Sequence, residues 1–242
     1  MRNRVLIYQD QGVSRESLKH TFCAFETLLG SHYEIQKISA KFLLQEDWEK
    51  DTALCIFPGG ADVPYMKALK GKGNQKIKSF VENGGAFIGI CAGAYYAGDA
   101  VEFALNTPQE INEKRELKFF PGVVRGPILA PYDYKTNSGT RAAKIFTRGG
   151  ESLFVFYNGG GYFSQAEQEK NVSILATYED GLPAIIECKV GRGIAILSGV
   201  HFEYDPELLD NEDVFLKPHI PNIASSNKRR WFFLQSLLSF LH

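Results

Sequence analysis

Methionine and tryptophan are scarce in this chain of 242 residues, two of each, and cysteine is held to four. Cys23, Cys55, Cys91 and Cys188 form no C-x-x-C pair and no cysteine–histidine set at zinc spacing. That excludes a zinc ribbon and a dithiol redox motif, and leaves no metal or other cofactor to expect. Such cysteine usage fits a reducing compartment. An excess of charge is missing too: 27 Lys and Arg against 28 Asp and Glu leave a net charge of −1. There is thus no basic surplus for nucleic acid and no acidic solvating tail. No apolar run approaches membrane-spanning length. The opening residues, Met1 to Asp10, hold too short an apolar stretch for a signal peptide. The expectation is a cytoplasmic protein that binds neither membrane nor nucleic acid.

What is present is ample core material, 44% hydrophobic residues. Val5 to Tyr8 reads as a strand. Ser14 then caps a helix with Leu18, Phe22, Phe25 and Leu29 on one face. Strands follow at Tyr33 to Ile38 and Ala53 to Phe57, then a helix from Asn74 to Glu82 stopped by Asn83-Gly84-Gly85, then a strand from Ala86 to Ile90. This alternation predicts an α/β fold, a mostly parallel sheet with helices on both faces. Cys55 and Cys188 sit in apolar runs and read as core residues. Residues 99–139 carry Pro108, Pro121, Pro127 and Pro131 and no long period, which reads as an irregular insertion or a set of short strands and loops over the active edge. From Thr140 onward short strands recur, ending in a hairpin around Gly191-Arg192-Gly193, an antiparallel β extension. A last helix from about Asn227 to Leu241, rich in Phe and Leu, is expected to pack on the sheet.

The chemistry gathers at strand ends. Gly89-Ile90-Cys91-Ala92-Gly93 follows a buried strand with small residues, the pattern of a sharp strand-to-helix turn with a nucleophile at its tip. In a wound sheet, strand ends far apart in sequence meet at one edge. His201 lies 110 residues downstream of Cys91, also after a strand, and Glu203 two positions on can orient it. An imidazolium so placed stabilises a thiolate. Pro58-Gly59-Gly60 can offer the Gly60 amide, with that of Ala92, to an oxyanion. The other reading of that loop is a plain Pro-Gly turn. Asn158-Gly159-Gly160-Gly161 reads either as a close approach to a ligand or as a flexible turn. Tyr95 and Tyr96 either line the pocket or pack.

Taken in order, Pro58-Gly59-Gly60, Gly89-Ile90-Cys91-Ala92-Gly93 and His201-Phe202-Glu203 resemble the signature of the class I glutamine amidotransferase-like superfamily. The longer strings, Phe57 to Tyr65 and Gly89 to Tyr96, resemble the amino-terminal domain of long-form biotin-protein ligases, in a stand-alone version. The resemblance implies one flavodoxin-like domain over residues 1–242. It implies a Cys91, His201, Glu203 triad, an oxyanion hole from Gly60 and Ala92, and a substrate site from Gly59, Asp62, Tyr95, Asn158, Gly159 and Gly160. It also implies a small amide or amino-acid-like substrate and a possible synthetase or ligase partner. Two departures count against a direct transfer. Ala94-Tyr95-Tyr96 stands where glutamine users carry leucine and glutamine, and no biotin-ligase catalytic domain is present. Two readings follow: a cysteine amide hydrolase or amidotransferase-type enzyme, or a binding or regulatory module that kept the elbow without turnover.

Overall fold

The structure, a computed structural model, describes residues 2–241. The first half runs β1 (Arg4–Tyr8), α1 (Arg15–Leu29), β2 (Glu34–Ile38), α2 (Ala40–Gln45), β3 (Thr52–Phe57), α3 (Asp62–Leu69), α4 (Lys72–Glu82), β4 (Ala86–Ile90) and α5 (Ala92–Tyr96). The second half is mostly β. It comprises β5 (Gly98–Phe103), β6 (Ile111–Lys114), β7 (Phe120–Gly126), β8 (Arg141–Thr147), β9 (Ser152–Tyr157), β10 (Tyr162–Phe163), β11 (Val172–Tyr178), β12 (Pro183–Val190) and β13 (Gly193–Ser198), closed by α6 (Ile220–Ser225) and α7 (Asn227–Leu237).

Nine strands form the main sheet in the order β2-β1-β3-β4-β13-β12-β11-β8-β9. The first five pair in parallel. With β13 as fifth strand this is the 2-1-3-4-5 order of flavodoxin-like sheets. The remaining strands pair antiparallel and extend it. The α/β class, the parallel sheet and the antiparallel extension are therefore as the sequence indicates.

Alternation along the strands explains why both faces are covered. In β1, Leu6 and Tyr8 enter one core while Val5 and Ile7 enter the other. In β3, Cys55 and Phe57 divide from Leu54 and Ile56 in the same way. One face receives Leu43, Tyr65, Leu69, Ile77 and Phe80 from α2, α3 and α4. The other receives Phe25 and Leu29 from α1 and Phe233, Leu234 and Leu237 from α7. Burying each such side chain is worth about 1.5–3 kcal/mol over exposing it. The last helix thus packs on the sheet as expected, although it ends at Leu237 and a short 3-10 turn follows. Ser14 caps α1 by accepting from the Ser17 amide.

Three helices were not legible in the sequence. Both α2 and α6 have six residues and α3 has eight, too short to show a helical period. Of the two readings of the 99–139 stretch, the set of short strands and loops is the one that forms. It supplies β5, β6 and β7 to a second sheet, order β10-β7-β5-β6, whose β5–β7 pair is parallel. Val101, Phe103, Phe120 and Val124 of that sheet join the first core.

Candidate active site

Cys91 follows directly on β4, whose residues are all buried, and caps α5 at φ +51°, ψ −103°. A positive φ outside glycine stores about 1–3 kcal/mol and persists only where the surroundings fix it. Here the Cys91 amide donates to the Ser198 carbonyl of β13 at 2.7 Å. The flanking glycines are required by contact. A Cβ on Gly93 would strike the Phe57 carbonyl, and one on Gly89 the Gly93 carbonyl. The turn is therefore a tight strand-to-helix elbow presenting the cysteine.

β13 lies beside β4, and this pairing carries His201 to the elbow. The His201 amide donates to the Phe156 carbonyl at 2.8 Å, and its Nδ1 meets Glu203 Oε1 at 2.8 Å. Both side chains are buried. Burial by itself pulls the imidazole pKa down, but the Glu203 carboxylate and the adjacent Cys91 thiol outweigh it and raise it to about 10. The Cys91 thiol donates to the Asn158 carbonyl at 3.7 Å. The expected Cys91, His201 and Glu203 are thus brought together.

Pro58-Gly59-Gly60 is not a plain turn. Gly60, at φ +143°, bridges to Val13, and the Ala61 amide donates to the Gly12 carbonyl at 2.8 Å. The Gly59 amide is taken by Ser17 Oγ at 2.7 Å, and its carbonyl by the Ser14 amide at 3.0 Å. Gly59 therefore has no free donor. It serves by its size, since a Cβ there would lie 2.6 Å from His201 Cε1. Gly60 and Ala92 both line a small space beside Cys91. Neither amide is spent on a backbone hydrogen bond among the described residues.

The triple glycine is closely packed at Gly160 and Gly161. A Cβ on Gly160 would strike the Gly199 carbonyl, and one on Gly161 would lie 2.5 Å from the Arg125 carbonyl. Three buried tyrosine hydroxyls hold its carbonyls: Tyr95 on Gly159 at 3.1 Å, Tyr157 on Gly160 at 3.0 Å and Tyr178 on Gly161 at 2.8 Å. Burial raises all three phenol pKa values, so they stay protonated donors. Asn158 and Gly159 reach the space at Cys91, whereas Gly160 lines neither neighbouring cavity. Tyr95 is a wall of that space; Tyr96 packs in the core and donates to Asn74.

Asp62 opens α3 and lines the same small space. Its Oδ2 accepts from Arg115 Nε at 2.7 Å, and both side chains are buried. Burial raises the Asp62 pKa against the pull of the guanidinium. The sequence reading missed Arg115, Ser17 and Tyr204. Tyr204 stacks between His20, 4.0 Å away, and Phe156, 4.2 Å away, with its ring 4.6 Å from that of His201. Only Tyr204, two positions beyond the second triad residue's neighbour Phe202, carries a local signal; the others come from remote elements.

Two cavities meet at Cys91. The inner one, about 20 Å³, is walled by Tyr95, Val101, Phe103, Tyr132 and Asp62, room for one water. The outer is an open cleft of about 840 Å³ that Cys91, His201, Gly60 and Asn158 also line. Among the described residues no group of three or more His, Cys, Asp or Glu is placed to hold a metal, and no helix is long and apolar enough to cross a membrane.

The 2-1-3-4-5 sheet, with a cysteine just after β4 and a His-x-Glu just after the neighbouring β13, is a glutamine amidotransferase-like fold. A solved glutamine amidotransferase superimposes with a TM-score of 0.59 at 17% identity, covering 91% of this chain and 99% of that one, a likeness of fold. The family model described as "Biotin-protein ligase, N terminal" matches residues 3–242, and the chain belongs to that family. An uncharacterized protein of Chlamydia muridarum is 40% identical over 220 residues, 87% of this chain and 85% of its own length. A biotin--protein ligase of Schizosaccharomyces pombe is 35% identical over 221 residues, 86% of this chain but only 35% of the ligase. This chain therefore corresponds to about a third of that ligase's length.

Proposed function

We propose that this protein is a thiol enzyme that cleaves carboxamides, as a hydrolase or as the ammonia-releasing half of an amidotransferase. The observation that carries the proposal is the convergence of a positive-φ Cys91 with an imidazole held by Glu203 at 2.8 Å. With His201 held as the imidazolium, its pKa raised to about 10, the Cys91 sulfur attacks as the thiolate, forming the S–C bond while the carbonyl electrons move onto oxygen. The Gly60 and Ala92 amides hold the oxyanion. The C–N bond breaks as His201 gives its proton to the departing ammonia. Water, deprotonated by His201, then cleaves the thioester and frees the carboxylate. Glu203 fixes the Nδ1–H tautomer and stabilises the imidazolium. In the transferase version the ammonia passes to a synthetase or ligase partner.

Incubation with glutamine and a panel of small primary amides tests this. Released ammonia and an acyl adduct on Cys91 by mass spectrometry are expected, with loss of both in Cys91→Ala. No ammonia and no adduct, with Cys91 alkylating no faster than the exposed Cys23, overturns it. One observation favours a binding module instead: Cys91 is only 7% exposed and its thiol is directed at the Asn158 carbonyl. A ligand-dependent rise in melting temperature without any adduct supports that reading.

A further inference from the structure

The cleft above Cys91 is built for something larger than an amino acid. Its volume of about 840 Å³ lies in the upper part of the range of about 300–1,000 Å³ found for small-molecule sites. A glutamine-sized amide, with about ten non-hydrogen atoms, leaves most of that empty; sites of this size suit drug-sized ligands. Its outer walls are two chain segments, Tyr132–Asn137 and Leu208–Leu216, joined where Asn137 Nδ2 donates to Asp213 Oδ2 at 2.7 Å.

Those walls concentrate exposed apolar side chains. Tyr134, Leu208, Val214 and Phe215 are exposed, Val214 at 73%, and all four line this cleft. Scattered exposed hydrophobics are ordinary, but a cluster rimming a cleft marks a binding surface. Charge adds a sign. Glu16, Asp133, Asp210 and Asp213 line the cleft against Lys19 and Lys135. Lys19 is already engaged by Glu16 at 3.7 Å and by the Leu208 carbonyl at 3.1 Å. With that pair cancelling, Asp133, Asp210 and Asp213 face Lys135 and His201, and the lining keeps a net negative charge.

We infer that the carboxamide this site acts on is borne by a peptide chain. Apolar residues of the peptide lie on Tyr134, Leu208, Val214 and Phe215, and a basic residue faces the acidic lining. The inference rests on the thiol chemistry proposed above and adds the class of substrate. The reaction is the same: the peptide's side-chain carboxamide becomes a thioester on Cys91 as ammonia leaves, and water returns a carboxylate.

The test uses acetylated, amidated heptapeptides with one central glutamine between leucine and phenylalanine, carrying either two arginines or two glutamates. N-acetylglutamine amide is the small reference. Deamidation is followed by the mass gain, and binding to the inert Cys91→Ala protein by fluorescence anisotropy. Expected are kcat/KM at least tenfold higher for the arginine peptide than for the small amide, and weaker binding of the glutamate peptide. In V214S/F215S the ratio of peptide to small-amide kcat/KM falls about tenfold. Equal kcat/KM for peptide and small amide overturns the inference and leaves the thiol chemistry standing. Tight arginine-peptide binding to Cys91→Ala, without deamidation by the parent, supports the peptide cleft and overturns the chemistry instead. No peptide binding to Cys91→Ala overturns the inference.

Discussion

Gly59→Ala is the sharpest probe of how this site is assembled. Gly59 does not need a glycine backbone; it needs the absence of a side chain. An added Cβ would lie 2.6 Å from His201 Cε1 and 3.0 Å from Ser17 Oγ, where ordinary contact begins at 3.4 Å. Relief requires the imidazole to retreat by about 0.8 Å, the gap between the first and last of those values. The ring has little freedom to do so: Glu203 holds Nδ1 at 2.8 Å, and the Phe156 and Tyr204 rings lie 5.5 Å and 4.6 Å away. Misplacement of a reacting group by about 1 Å costs about 10²-fold in rate. Overpacking of this kind destabilises by about 1–3 kcal/mol, a fall in Tm of about 2–4 °C per kcal/mol for a chain this size. The assay pairs ammonia release with the rate of Cys91 alkylation by iodoacetamide and an NMR titration of His201. The variant is expected to fold, melt a few degrees lower, alkylate slowly and show a lowered His201 pKa. Alkylation within twofold of the parent together with an unchanged His201 titration would refute the steric reasoning.

Glu203→Gln removes the carboxylate that raises the His201 pKa, so that pKa falls from about 10 toward its ordinary value; amide cleavage drops about 10²–10⁴-fold, measured as kcat. The same raised pKa makes a stability prediction. Stability contributed by His201 is complete below the unfolded value of about 6.5 and is lost as pH rises through about 10, which denaturant midpoints across that window read out. His20 works in the opposite direction. Burial lowers its pKa to about 3, with the Lys19, His201 and Arg230 charges adding to the shift. Stability from keeping it neutral is therefore present above about 6.5 and falls as pH drops toward 3; His20→Phe, which keeps the stack on Tyr204, flattens the acid limb of that profile. Arg115→Met strands the buried Asp62 carboxylate and costs about 3–5 kcal/mol by denaturant melts, most of it recovered in the D62L/R115M double variant.

What the sequence determined is local. Period and punctuation are enough to place β1, α1, β3, α4 and β4, because each buries one stripe or both faces, and glycines close by end α1, β3 and α4. Gly89 and Gly93 around Cys91 are legible for the same reason: no larger residue fits an elbow whose backbone passes that close to Phe57. The His-x-Glu spacing likewise announced a pair that proved to be hydrogen bonded. Only the tertiary structure decided that β13 pairs with β4, which puts His201 beside Cys91 across 110 residues of chain. Long-range pairing leaves no local mark, so the Asp62–Arg115 ion pair, the Ser17 bond to Gly59 and the parallel β5–β7 pair were invisible. The triple glycine shows the division most clearly. Its sequence says that backbone must come close to something; the fold reveals that for Gly160 this is Gly199, just ahead of His201, and for Gly161 the Arg125 carbonyl, while Gly159 borders the space at Cys91. A glycine reports that space is short, and only the packed chain reports what occupies the other side.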